Sequence, residues 1–224
     1  MGLFDRFRAK VLYFPGCPAK FLVKDVQRRH EQLLTMFGIE YVKLPELEVC
    51  CGKPALDFGF LDDFKSLRLK NKNTFANQKI TKIITSDPKC YSTFKKKYED
   101  IEVEHISTTI LNNIDKIERR FDDVEVSFYD ACNPYKMKEL YDKPREILEA
   151  LGFSVKELSF CKESSLCCGK ALEAVSPKVA AKMAEEVVKD VPSDTVVTMS
   201  PDCYIQLKKV NSKVKILELS EVLL

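Results

Sequence analysis

The sequence has almost no net charge: 36 lysines and arginines stand against 34 acids in 224 residues, a balance of +2. No one-signed field is left with which to gather nucleic acid or an anionic membrane. Nor does any apolar run approach the roughly 18 residues that a membrane-spanning helix requires. The opening MGLFDRFRAK is too charged for a secretory leader, and Arg6 stands where a myristoylation signal wants serine or threonine. The expectation is a cytoplasmic protein with no transmembrane segment. Glycine-rich phosphate loops of the G-x-G-x-x-G or Walker kind are missing too, so a flavin or dinucleotide would belong to a partner.

Cysteine is scarce for a disulfide scaffold. Nine residues make up about 4% of the chain, against the roughly 8 to 10% that marks such proteins, and cytosolic thiols stay reduced. No C-x2-C knuckle of the structural zinc type is present, and no C-x2-C-x2-C-x3-C-P run. A ferredoxin-type relay would therefore have to come from another subunit. What the chain does have is Cys50 and Cys51 followed by Gly52, and, in SLCCGKAL at residues 165–172, Cys167 and Cys168 followed by Gly169. Adjacent alpha carbons lie about 3.8 Å apart, short of the roughly 4.4 to 6.8 Å of a disulfide, so neither pair is expected to bridge itself.

The two motifs belong to a longer repeat. The first half reads C-x32-CC-x38-C from Cys17 to Cys90, the second C-x34-CC-x34-C from Cys132 to Cys203, and Ser107 and Ser220 each follow the last cysteine by 17 positions. Around these marks, hydrophobic patterning predicts strands over 10–14, 40–44 and 82–86. Helices are predicted from about 20 to 37, with Leu22, Val26, Leu33 and Phe37 inward, and over 61–78. The second half predicts strands over 125–130, 153–160 and 194–199, with helices near 143–152 and over 176–190. Alternating strands and helices imply an α/β fold: two tandem, similar Rossmann-like parallel-sheet domains related by a pseudo-twofold. Their expected extents are 1–120 and 121–224, joined near IERRFDD at 117–123.

In open parallel sheets, sites form beyond the carboxyl ends of the strands. Cys17, Cys50, Cys51 and Cys90 all fall there, as do Cys132, Cys167, Cys168 and Cys203. Gly52 and Gly169 suit tight turns that let the backbone approach a bulky inorganic group. SDPKCY and MSPDCY read as helix starts, with Asp87 or Ser200 as cap and Pro88 or Pro201 at the first helical position. The helix dipole is expected to favour thiolate at the cysteine that follows. Four thiolates per half suit a 4Fe-4S cluster and equally a structural zinc; ligation from three distant strand ends favours iron and sulfur.

With these residues the sequence resembles the CCG cysteine-rich domain family, in two copies over nearly the whole chain. The family includes the B-type component of heterodisulfide reductase and iron-sulfur subunits of lactate-utilisation, glycolate-oxidising and anaerobic glycerol-3-phosphate-oxidising systems. The resemblance implies an iron-sulfur oxidoreductase subunit that passes electrons between a flavoprotein or ferredoxin-like partner and a thiol, disulfide or quinone acceptor, in a complex that could be peripheral to a membrane. By position, the implied ligands are Cys17, Cys50, Cys51 and Cys90, then Cys132, Cys167, Cys168 and Cys203. The family's fullest pattern ends each motif in C-x-x-C and is associated with a noncubane cluster. Here Asp87 and Ser200 stand in place of that extra cysteine, so one or two 4Fe-4S clusters are expected. The alternatives are a zinc-stabilised binding module and a disulfide reductase, with the noncubane cluster or with thiols alone.

The remaining residues of note have plainer readings. Cys161 has no counterpart in the first half and reads as a packing residue, with a further ligand or exchanging thiol as the alternative. His30 and His105 read as structural, Tyr91 and Tyr204 as residues packed over the site, and FKKKYED as a solvated face.

Overall fold

The computed structural model describes residues 9–47, 49–131 and 138–224. Strand β1 (Lys10–Phe14) starts the first half, with Leu12, Tyr13 and Phe14 buried. Gly16 turns the chain at φ 81°, and a Cβ there would lie 2.6 Å from that of Asp87. Only glycine fits both the dihedral and the close approach.

The single helix expected over 20–37 is two, α1 (Cys17–Phe21) and α2 (Lys24–Met36). The amides of Leu22 and Val23 both donate to the carbonyl of Pro18, which closes α1 after one turn. Leu22, expected inside, is 63% exposed. The strand expected over 40–44 contracts to one bridge, in which Val42 donates to Val11 and accepts from Tyr13. Pro45, which has no amide hydrogen, and the turn that follows stop the ladder there.

Helices α3 (Lys53–Asp57) and α4 (Leu61–Gln78) follow, then β2 (Ile80–Thr85), α5 (Pro88–Lys97), β3 (Glu102–His105) and α6 (Ile106–Leu111). Residues 117–123 carry neither helix nor strand. The second half contains β4 (Val124–Phe128), α7 (Asp142–Ala150), β5 (Phe153–Glu157), α8 (Pro177–Lys189), β6 (Thr195–Thr198), α9 (Pro201–Leu207), β7 (Lys215–Glu218) and α10 (Leu219–Leu223).

The strands form two parallel sheets, one in order β1-β2-β3 and one in order β5-β4-β6-β7. Val42 sits on the free side of β1 as β5 sits beside β4, so the two halves share one plan. They also share a core. Helix α6 packs on α7, and α10 packs on α2, so the last helix of each half lies on the first long helix of the other. One apolar cluster joins Tyr13, Leu33, Ile84, Ile106 and Ile110 to Phe128, Ile147, Val197 and Leu219. Among the described residues, no helix is long and apolar enough to cross a membrane.

Beneath this seam lies a buried polar group. His30 Nε2 on α2 stands 3.4 Å from Glu218 Oε1 at the start of α10, each about 1% exposed. His105, also buried, accepts from the Ser107 amide through Nδ1 at 3.2 Å and so caps α6. His30 is therefore part of the interface between the halves, and His105 a helix cap within the first half.

Candidate functional site

In the first half the loop ends bring four sulfurs together. Cys17 opens α1 just beyond β1, Cys50 and Cys51 precede α3, and Cys90 lies in the first turn of α5. The thiols run in a row: Cys17 beside Cys50, Cys50 beside Cys51, and Cys51 Sγ 3.3 Å from Cys90 Sγ. Cys51 and Cys90 are buried, Cys17 and Cys50 half-buried. The second half repeats the arrangement for the three cysteines described there. Cys168 Sγ lies 3.4 Å from Cys203 Sγ, and Cys167 lies beside Cys168. Cys132 falls outside the described residues.

Both adjacent pairs are shaped by a glycine in the left-handed region, Gly52 at φ 90° and Gly169 at φ 82°. The Gly52 amide points at Cys50 Sγ (3.5 Å) and the Gly169 amide at Cys167 Sγ (3.4 Å). The missing side chains serve the packing behind the loops. A Cβ on Gly52 would meet Phe64 of α4 at 2.6 Å, and one on Gly169 would meet the Ala180 carbonyl oxygen of α8 at 2.6 Å. The expectation that these glycines clear space toward an inorganic group gives way to this helix contact.

Asp87 and Ser200 cap their helices as expected. The Asp87 carboxylate accepts from the amides of Lys89 (2.7 Å) and Cys90 (3.4 Å), and Ser200 Oγ accepts from the Cys203 amide (3.4 Å). The expected lowering at Cys90 is reversed. Despite its contact with Cys51, burial and the nearby Asp87, Cys50 and Asp202 push its thiol up to about 11. Cys50 is the thiol that is held low, by hydrogen bonds from Cys17 and Cys51, against burial and with help from the Gly52 amide. Cys17 and Cys51 are raised in turn, first by their contacts with Cys50 and then by burial or Cys90. Thiolates packed this closely repel one another, so ionising all four requires positive charge among them.

The loops are held by residues that the cysteine pattern does not reveal. Asn71 of α4, fully buried, donates to the Cys50 carbonyl (3.0 Å) and Tyr98 Oη (3.2 Å) and accepts from the Val49 amide (3.3 Å). Its sequence signal is position: with Phe64 and Phe75 it forms the buried stripe of α4. In the second half the clamp is ionic. Arg145 of α7 makes paired bonds to Asp130 (3.0 and 2.7 Å) and reaches Glu157 (2.5 Å), while Asp130 accepts from the Lys162 amide (2.7 Å). Tyr129 Oη donates to the Leu166 carbonyl at 2.7 Å, just before the cysteine pair.

Other singled-out residues lie elsewhere. Tyr91 packs edge-on against His105, 5.7 Å between ring centroids, and its hydroxyl meets Glu139 of the other half at 3.2 Å. Tyr204 shares an apolar cluster with Cys168 and Cys203. Cys161 is half-buried, its thiol raised by burial and by Glu157. Lys95 of the FKKKYED run binds Glu139 at 2.9 Å.

Among the described residues, no three Cys, His, Asp or Glu side chains gather around a point that a single ion would fill. The row of sulfurs nevertheless suits a larger thiolate-bound group: the donors are soft, and no imidazole is among them. Two of the four first-half sulfurs are half-exposed, which leaves them accessible to such a group.

Comparison with known proteins agrees with the repeat. The family model described as the CCG cysteine-rich domain matches residues 11–95 and again 126–208. An uncharacterized iron-sulfur protein of Methanocaldococcus jannaschii is 27% identical over 208 residues, covering 90% of this chain and 41% of that protein. The B component of the fumarate reductase (CoM/CoB) of Methanothermobacter marburgensis is 26% identical over 230 residues, covering 96% of this chain and 46% of that one. The D component of the dihydromethanophenazine:CoB–CoM heterodisulfide reductase of Methanosarcina acetivorans is 26% identical over 212 residues, with coverage of 88% and 52%. The chain thus spans about half the length, or less, of these relatives.

Proposed function

Because this chain belongs to the CCG cysteine-rich domain family in both of its halves, we propose that it is an iron-sulfur electron-transfer subunit of a cytoplasmic oxidoreductase complex. The observation that carries the reading is the set of seven described thiols of the repeat, Cys17, Cys50, Cys51, Cys90, Cys167, Cys168 and Cys203, around two Cys-Cys-Gly loops with their glycines in the same conformation. The names of the relatives, an iron-sulfur protein and two reductase components, support it. In this proposal, units 1–120 and 121–224 each hold a 4Fe-4S cluster. The ligands are Cys17, Cys50, Cys51 and Cys90 in one, and Cys132, Cys167, Cys168 and Cys203 in the other.

A cluster bound at such a site accepts and returns one electron at a time and supplies the positive charge that four thiolates need. The chain's own part is to hold the sulfurs. Asn71 and the Arg145–Asp130 pair set the loop backbones, and the two glycines let each loop lie against its helix. The donor would be a flavoprotein or ferredoxin-like partner, the acceptor a thiol, disulfide or quinone.

Metal and sulfide analysis of protein purified without oxygen tests the reading. About eight irons and eight sulfides are expected for two cubane clusters. Cys168→Ser should remove about half of the iron and of the visible absorbance. Zinc in a colourless protein, or a variant spectrum identical to the parent, would refute the assignment.

A further inference from the structure

The first-half row of thiols is held from two sides. Asn71 fixes the backbone of the Cys50–Cys51 loop from within the first half, but the helices that carry the outer cysteines rest on the second half. Helix α1, which opens on Cys17, packs on α9. Helix α5, which carries Cys90, is bonded across the junction by the residues on either side of that cysteine. Lys89 Nζ lies 2.6 Å from Asp202 Oδ2, and the Tyr91 hydroxyl donates to Glu139 Oε1 at 3.2 Å.

Lys95, one turn further along α5, closes the second of these contacts. It donates to the Tyr91 hydroxyl at 2.8 Å and to the same Glu139 oxygen at 2.9 Å, so the three side chains form a closed triangle. The repeat keeps the tyrosine and the lysine: Lys208 follows Tyr204 by four residues, as Lys95 follows Tyr91, and donates to its hydroxyl at 2.8 Å. The acid differs. Glu221, beside Tyr204, belongs to α10 of the same half and stands 3.8 Å from Arg29 of the first. Tyr91, by contrast, binds an acid of the opposite half directly.

From these placements we infer that Glu139 and Asp202, residues of the second half, are positioning residues of the first-half thiol site: through them the second half keeps Cys90 in line with Cys51. The two sulfurs lie 3.3 Å apart, a spacing that a small swing of α5 opens. The middle of the row is set by its own half and its ends are steadied by the other, so the row takes its full shape when the halves are joined. What the row binds rests on the iron-sulfur reading proposed above, in which a cluster needs all four sulfurs together. The hold of the second half on Cys90 does not rest on it.

The experiment uses the whole chain purified without oxygen and compares it with Glu139→Ala, Asp202→Asn and Tyr91→Phe. The last keeps the ring against His105 and removes only the hydroxyl, which covers the case in which a more drastic change does not fold. Hydrogen exchange by mass spectrometry reads local opening. In Glu139→Ala and Tyr91→Phe, amides of α5 should exchange about tenfold faster, the scale of one lost hydrogen bond to a charged group, while those of α9 stay at the parent rate. Asp202→Asn should quicken α5 as well. In a Cys168→Ser background, which keeps the first-half cluster, Glu139→Ala should release iron to a chelator about tenfold faster and shift the paramagnetic resonance of the reduced cluster. Glu139→Gln, which keeps an oxygen for the tyrosine hydroxyl, should restore most of both. An unchanged α5 in Glu139→Ala and Tyr91→Phe, an opening shared equally by α9, or a first-half resonance and iron release indifferent to Glu139→Ala would overturn the inference and leave the iron-sulfur reading intact. Faster α5 exchange in a protein that binds no iron would overturn the iron-sulfur reading and uphold the hold on Cys90.

Discussion

Asn71→Ala probes the link between a buried helix residue and the first cysteine pair. The asparagine makes three hydrogen bonds, two of them to the backbone at Val49 and Cys50. Alanine leaves that amide and that carbonyl without their partner in a half-buried loop, at a cost of about 2 to 4 kcal/mol for the two groups together. In a chain of this size, a change of that order lowers the melting temperature by roughly 5 to 15 °C. Iron should be lost from the first half only, so total iron falls by about half while the second-half spectrum stays unchanged. Asn71→Asp sharpens the reasoning. It retains an acceptor for Val49 but sets an oxygen against the Cys50 carbonyl in a fully buried position, so it should destabilise at least as much as alanine. The assay pairs thermal unfolding by circular dichroism with iron counting. An Asn71→Asp protein that melts and binds iron like the parent would refute the donor role. An Asn71→Ala protein that loses iron equally from both halves would refute the local clamp.

Arg145→Met should be severe, because it strands Asp130, whose side chain is 2% exposed. A loss of about 3 to 5 kcal/mol in urea unfolding is expected, and adding Asp130→Asn should restore part of it. A double variant no more stable than the single one would count against the ion pair. His105 gives a pH test: burial, helped by nearby His30, lowers its pKa from 6.5 to about 3. The unfolded chain then binds the proton first. The stability due to neutral His105 is complete above about pH 6.5 and is lost as pH falls toward 3, at up to about 1.4 kcal/mol per pH unit. His105→Asn, which keeps an acceptor for the Ser107 amide, should flatten unfolding free energy against pH in that window; equal slopes would contradict the assignment.

Hydrophobic periodicity located α4 to the residue and placed β1 and β4 closely, because these segments pair strong patterning with clear ends. It overextended where a local constraint wins over patterning. Pro45 and its turn cut the Val42 strand to a bridge, and the Pro18 carbonyl closes α1 before Leu22 can turn inward. Strands β3 and β7 were missed because EVEH and KILE are four residues long, each with charged residues among them. The cysteines could be placed at strand ends because the sheet's parallel topology puts such loops on one edge. Their supports could not be read in that way. Asn71 and Arg145 are polar residues on helices far along the chain, and nothing in their spacing announces that the first bonds to the Cys50 backbone and the second holds Asp130, which binds the Lys162 amide. The role of Gly52 also needed the fold, since the atom that excludes a side chain belongs to Phe64.

The reciprocal placement of α6 on α7 and α10 on α2 has the form of an exchange: each half lends its final helix to the other. Two separate chains with this habit would make a tightly interlocked dimer, and the stretch 117–123 is the tether that makes such a dimer one molecule. Cutting the tether should leave two fragments that hold together through the shared apolar seam, whereas either fragment alone would expose Ile106 and Ile110 or Leu219 and Val222 to water. Fusion also frees the two copies from identity. A true dimer must repeat every residue across its axis, but a tethered one can place lysine at position 89 and aspartate at 202, and so join equivalent positions of its two halves by an ion pair.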